Sequence, residues 1–253
     1  MRALSAAAVL FAASLALHCA AASAARDAEA FLRLAPAIER IARLHAQSGQ
    51  AVMAQRSRRA LADATRDFDS TLRAAQGAAS GAEARENYAL LALLWHDYRD
   101  WLQRPPSRET ARRLRDRTEE LAWVASKGVR LVNDAAPGRV SASALRASQA
   151  AAASQRIGKA YLWRRWDIRD DGLDRELRES RESLPRALET IARTPGVPPD
   201  IITHVESAQT QWRFLSDASA QLDAAPTNAR ALEFACKAAD HIFESMQRLM
   251  GEL

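Results

Sequence analysis

Apolar residues recur every three to four positions along most of the chain, which is the pattern of helices that bury one face. The first such stretch predicts one long helix from Asp27 to about Gln76, where a glycine-rich segment ends it. A second helix is expected to end at Pro105-Pro106. Ser107 is a suitable N-cap for the third helix, which follows directly.

The second half of the chain carries the most regular apolar stripes. One stripe follows the segment Pro195–Pro199 and another follows Pro226, while Pro185 is expected to kink or restart the helix before them. Heptad-like spacing of apolar residues makes helices pack with small crossing angles. The chain is therefore predicted to be all-α, built of tandem up-down bundles of the four-helix type. The stripe residues are Ile201, Val205, Ala208, Trp212, Leu215 and Leu222, then Leu232, Ala235, Ala239, Ile242, Met246, Leu249 and Leu253.

A polar motif occurs twice in similar form, which predicts an internal repeat. The segment Ala147–Leu162 joins a run of small residues to a polar cluster, and Gln47–Leu61 carries a weaker version 100 positions earlier. This alignment predicts two related helical repeats, 27–135 and 139–253, with a boundary near Asp134 to Arg139. The first repeat is expected to be shortened, since it lacks a counterpart of most of the segment 170–183.

The N-terminus has the three regions of a secretory signal peptide: Arg2, an apolar run from Ala3 to Leu17, and small residues after it. Residues 1–24 are therefore predicted to be a signal peptide, cleaved near Ala24-Ala25, and the chain to be periplasmic. Cys19 suggests a lipoprotein as an alternative, but the bulky His18 before it does not suit a lipid-attachment site. A retained N-terminal anchor is a further alternative.

Composition and charge narrow the classes of function. The net charge of +5 would suggest nucleic acid in a cytosolic protein. Export argues against nucleic acid and favours an anionic ligand, an acidic partner or a membrane surface. Catalytic signatures are missing and the histidines are scattered, so neither an enzyme nor a metal or other cofactor is expected. Cys236, among alanines, is predicted to be a buried thiol.

The candidate site is the polar end of the principal motif, where Gln155, Arg156 and Lys159 follow the small residues. The weaker copy contributes Gln55, Arg56 and Arg59. Arg156 and Lys159 share a helix face and could together bind a small anion. The alternative is that these side chains point into solvent from an alanine-rich helix, and that Trp163 packs in the core.

The segment Ser154–Leu162, SQRIGKAYL, resembles the S-Q-R-[MI]-[AG]-K-x-[YL]-L core of the N-terminal sensory domain of type IV pilus methyl-accepting chemotaxis transducers, the PilJ-like domain. That domain class is similar to the periplasmic part of nitrate and nitrite sensor kinases. The resemblance implies a ligand-sensing four-helix bundle that signals through an envelope or membrane protein and forms a homodimer.

Two departures from the family pattern limit what the resemblance implies about a ligand. Ser148 and Ala151 stand where the family has a glycine and an anion-binding arginine, and Ser48 and Ala51 do so in the weaker copy. A nitrate site of the family's type is therefore not expected. The two hypotheses are a periplasmic ligand-binding module for signalling or chemotaxis, and a non-catalytic adaptor that docks on an envelope protein through its small-residue face.

Overall fold

The computed structural model describes residues 27–196 and 198–252, so the predicted signal peptide lies outside the described part of the chain. The described residues form helices joined by short turns, without a strand, and the prediction of an all-α bundle is confirmed. The helices are α1 (27–49), α2 (Ala54–Ala78), α3 (Ala82–Leu102), α4 (Arg108–Ala135), α5 (Ala142–Arg165), α6 (Asp171–Ala192), α7 (Pro199–Ala224) and α8 (Ala229–Glu252).

Side-chain caps fix where several helices begin. The Oγ atom of Ser107 accepts a hydrogen bond from the backbone N–H of Thr110, 3.1 Å away, as predicted from the sequence. Ser141 caps α5 and Asp170 caps α6 in the same way. Each cap satisfies a backbone donor that has no partner inside its own helix. The apolar stripes of α7 and α8 face the core, with Trp212 half-buried at its edge, and Leu253 lies outside the described residues.

The predicted long first helix is broken. Residues 50–53 form a turn between α1 and α2, in which Ala51 and Met53 have positive φ angles of 57° and 49°. The turn is packed closely: a Cβ on Gly49 would lie 2.6 Å from the Cβ of Pro106 and 2.8 Å from the ring of Trp166. Pro185, in contrast, does not restart a helix but lies inside α6.

The described helices form two sets of four, α1–α4 and α5–α8. The first set is not shortened, because α2 is the counterpart of α6. The alignment at 100 residues is also wrong as a structural correspondence, since Gln55 lies at the start of α2 and Gln155 in the middle of α5. An offset of 116 residues, which is the separation of the hydrogen-bonded residues Ser148 and Leu32, matches Gln155-Arg156-Ile157-Gly158-Lys159 of α5 with Glu39-Arg40-Ile41-Ala42-Arg43 of α1.

Helices α1 and α5 lie side by side at the centre and are buried on nearly all sides. The residues that are in contact between them have an almost constant sequence separation, which shows that the two helices run parallel. Ser148 donates a hydrogen bond to the carbonyl of Leu32 over 116 residues, and Gln50 donates to that of Leu162 over 112. The two sets of helices thus share one hydrophobic core. None of the described helices carries an apolar stretch long enough to cross a membrane.

Candidate functional site

The candidate site lies on the two central helices, in a group of charged and amide side chains that we call the central polar cluster. Helix α1 passes through the core and is apolar on most of its surface, and the polar side chains near its middle meet those of α5, α6 and α8. Buried charges are costly unless they are paired and hydrogen-bonded. The cluster consists of Glu39, Arg43, Gln47, Gln155, Arg156, Lys159, Glu176 and Asp240.

Arg43 joins α1 to α5 and α8 and is fully buried. Its Nε donates a hydrogen bond to Gln155 Oε1 at 2.7 Å, and its two Nη atoms donate to Gln47 and Asp240. Gln155 in turn donates from Nε2 to the carbonyl of Ala239 at 2.8 Å. Each of the three guanidinium nitrogens therefore has a protein partner.

Glu39 accepts from two cations of α5. Lys159 Nζ lies 2.5 Å from its Oε2 atom, and Arg156 Nε donates to its Oε1 atom at 2.8 Å. Lys159 also donates to Glu176 Oε1 at 2.9 Å, and its Nζ lies 4.7 Å from the ring centroid of Trp163. The Trp163 ring itself is buried in the core. Two carboxylates and two cations thus neutralise one another between α1, α5 and α6.

Helices α1 and α5 contribute matching positions to this cluster. Glu39 corresponds to Gln155 and Arg43 to Lys159 in the alignment at 116 residues. The contact of Lys159 with Glu39 therefore has its counterpart in the contact of Arg43 with Gln155. Such reciprocal contacts are the mark of a two-fold arrangement.

The electrostatics keep both members of the central ion pair charged. Burial alone would raise the pKa of Glu39, but the coulombic attraction and hydrogen bonds of Lys159 and Arg156 are larger together and lower it below its usual range. Burial would likewise lower the pKa of Lys159, and Glu176 and Glu39 together raise it above the usual range. The pair is ionised at neutral pH.

Three of the six residues predicted for the site lie in the cluster, namely Gln155, Arg156 and Lys159. Gln55, Arg56 and Arg59 do not: they are exposed at the start of α2. The sequence reading missed Glu39 and Arg43. The signal that could have found them is a pair of charged residues, four apart, within a segment whose other positions are mostly apolar.

Arg156 alone among the three reaches a surface groove. Its side chain is 30% exposed, whereas Gln155 and Lys159 are almost completely buried. The groove, which we call the α4–α5 groove, has a volume of about 750 Å³. It is lined by Ala35, Ser126, Val129, Arg130, Asn133, Asp134, Val140, Ala142, Leu145, Ser148, Gln149, Ala152, Arg156 and Ser183.

The lining of the α4–α5 groove combines an apolar wall with polar side chains, including the charged Arg130, Asp134 and Arg156. Val129, Val140 and Leu145 supply the apolar surface. The Oδ1 atom of Asn133 is buried and accepts no hydrogen bond from the described residues. Apolar concave surfaces with few polar groups are typical of small-molecule sites.

Within the described ranges, no three histidine, cysteine or acidic residues come together as metal ligands. Cys236 is buried and burial raises the pKa of its thiol to about 11, which disfavours the reactive thiolate. Comparisons of the chain with protein-family models, curated proteins and solved structures found no significant match.

Proposed function

We propose that the chain is an exported, non-enzymatic sensory module that binds a small organic anion in the α4–α5 groove and passes the signal to a membrane or envelope protein. The observation that carries the proposal is the position of Arg156. Glu39 holds the Nε of Arg156, so the side chain is oriented before a ligand arrives. Such preorganisation lowers the entropic cost of binding.

The chemistry of the groove favours a monocarboxylate with an apolar body. A guanidinium matches a carboxylate through two parallel hydrogen bonds. Val129, Val140 and Leu145 can cover the hydrocarbon part of such a ligand. Ligand-induced movement of α5 relative to α1 or α4 would then be the signal, because Arg156 joins the groove to the central polar cluster.

Calorimetric titration with hexanoate and benzoate tests the proposal. Binding is expected in the wild type and should weaken about 10- to 100-fold in Arg156→Gln, since a hydrogen bond to a charged group contributes about 1.5–3 kcal/mol. Arg146→Gln is the matched control, because Arg146 is exposed on the same helix and does not line the groove. Equal affinity in the wild type and Arg156→Gln, or no binding of either probe, would argue against the site.

The export prediction has its own test. Mass spectrometry of the protein recovered from the cell envelope should find an N-terminus near Ala25. A protein that begins at Met1 would show that the segment is retained as an anchor. This result is independent of ligand binding.

A second candidate function is a non-catalytic adaptor, and one observation favours it. Gln155 and Lys159 are fully used by internal partners, as expected for a cluster that only holds helices together. The adaptor cannot dock through the small-residue face, however, because residues 150–154 are buried inside the chain. Crosslinking in intact cells that recovers one envelope protein, together with failed titrations, would support the adaptor over the sensor.

A further inference from the structure

The groove equivalent to the α4–α5 groove in the other half of the fold has different chemistry. This groove, which we call the α1–α8 groove, lies between α1, α2 and α8 and has a volume of about 480 Å³. Arg40 corresponds to Arg156 and Arg33 to Gln149, so its central helix supplies two guanidinium groups in place of one. It is lined by Arg33, Ala37, Arg40, Ala64, Asp67, Phe68, Ser70, Thr71, Phe243, Glu244, Gln247 and Arg248.

The two arginines of α1 are incompletely paired. Their Nε atoms are buried and donate no hydrogen bond to any residue that the structure describes. The Nε atom of Arg40 lies 3.5 Å from Oδ1 of Asp240, which is an ion pair but longer than a good hydrogen bond. The guanidinium of Arg40 lies 4.7 Å from the ring centroid of Phe243. Among the residues that the structure describes, Arg33 forms an ion pair with Glu29 of its own helix and with no other carboxylate. Arg43, a few residues further, has a partner at every nitrogen.

The spacing of the arginines suits a ligand with two anionic ends. Arg33, Ala37 and Arg40 lie on one face of α1, and seven residues of helix place the two arginine positions about 10 Å apart. The small Ala37 side chain leaves space between them. Phe68 and Phe243 supply apolar surface beside that space.

The charges around the groove leave an excess of cations in its lining. Arg33, Arg40 and Arg248 stand against Asp67 and Glu244. The carboxylates of Glu29 and Asp240 approach two of the arginines from outside the groove. Arg33 and Arg40 themselves line the groove, so their guanidinium groups are the cations of α1 that an anion in the groove would meet.

We propose that the α1–α8 groove binds a short dicarboxylate, with one carboxylate at Arg33 and the other at Arg40. The methylene chain lies over Ala37, against the rings of Phe68 and Phe243. Because a guanidinium and a carboxylate form two parallel hydrogen bonds, each end is held in a defined orientation. This site uses none of the residues of the α4–α5 groove and does not depend on the function proposed for it.

Calorimetric titration with glutarate, and with pentanoate as the matched monocarboxylate, tests the proposal. Glutarate should bind at least tenfold more tightly than pentanoate. Arg33→Gln and Arg40→Gln should each weaken glutarate binding about 10- to 100-fold. Arg146→Gln, which changes an exposed arginine outside the groove, should leave it unchanged, and circular dichroism should show the helical content of each variant.

Four results would overturn the inference. The first is equal affinity for glutarate and pentanoate, and the second is loss of glutarate binding in Arg156→Gln with retention in Arg33→Gln. The third is that succinate, glutarate and adipate all fail to bind at about 10 mM. A dissociation constant of about 10 mM is the weakest that two arginine–carboxylate contacts would give. Inorganic phosphate that competes better than glutarate would also contradict a two-ended ligand.

Discussion

Glu39 pairs with two cations at once, the buried Lys159 and the partly exposed Arg156, and its replacement by glutamine is the sharpest test of the central polar cluster. Lys159 and Glu39 are each only 2% exposed at their side chains, so the pair is shielded from solvent. Removal of one partner from a buried ion pair costs about 3–5 kcal/mol. Lys159 keeps its contact with Glu176 in Glu39→Gln. The free energy of unfolding should therefore fall by an amount near the lower end of this range, about 3 kcal/mol.

Urea denaturation at pH 7 measures this loss as a lower midpoint with an unchanged slope. For a chain of this size, about 3 kcal/mol corresponds to a melting temperature lower by about 6–12 °C. The control is Glu182→Gln, the same substitution in an exposed pair with Arg186 on α6. It should cost less than about 1 kcal/mol. Equal losses in the two variants would refute the assigned role of Glu39.

The pH dependence gives a second measurement on the same variant. The pKa of Glu39 is lower in the folded state than in the unfolded chain, so its ionised form stabilises the fold. That contribution is complete above the unfolded pKa of about 4.3 and is lost as the pH falls through the folded value. The difference between wild type and Glu39→Gln should therefore be constant from pH 8 to 5 and shrink below pH 4. A difference that grows in acid would contradict this reasoning.

Three further predictions concern single positions. A Cβ on Gly158 would lie 2.8 Å from Cδ of the immobile Arg43 side chain, so Gly158→Ala should lower the free energy of unfolding by about 1–3 kcal/mol. A Cβ on Gly77 would have nothing within 4 Å, so Gly77→Ala should raise the free energy of unfolding by up to about 1 kcal/mol. A higher urea midpoint for Gly158→Ala than for Gly77→Ala would contradict both. Burial lowers the pKa of His45 to about 4, below the unfolded value of about 6.5. The free energy of unfolding of the wild type should therefore fall by about 2 kcal/mol between pH 7.5 and 5, and that of His45→Leu should not show this fall. The same pH dependence of stability in both proteins would contradict the prediction. Cys236 should react with iodoacetamide at pH 8 only after unfolding, and labelling of the folded protein in a peptide map would show that the thiol is accessible.

The helices could be predicted from the sequence wherever local signals define them. Ser107 follows two prolines and caps α4 as expected, and the stripes that begin at Ile201 and Leu232 face the core. Periodicity and capping act within a few residues of the chain, so one sequence contains them. The all-α bundle follows from those signals.

The repeat register and half of the site could not be predicted, because they depend on contacts between distant helices. The similarity of Gln55-Arg56 to Gln155-Arg156 is local and misleading, whereas Glu39 corresponds to Gln155 only through its place in the fold. The positive φ angle of Ala51 has no local signal either, since alanine favours helix. Close packing of Gly49 against Trp166 accompanies the turn there.

The parallel pair α1 and α5 has a consequence for how this molecule can change. The reciprocal contacts at its centre are those of a symmetric dimer joined into one polypeptide. In a dimer of identical subunits every residue near the axis occurs twice. A glutamate at one of two symmetry-related positions would therefore also be present at the other. Here glutamate occupies one position and glutamine the other. In a single chain the two halves can differ in sequence, and the α4–α5 and α1–α8 grooves do have different linings.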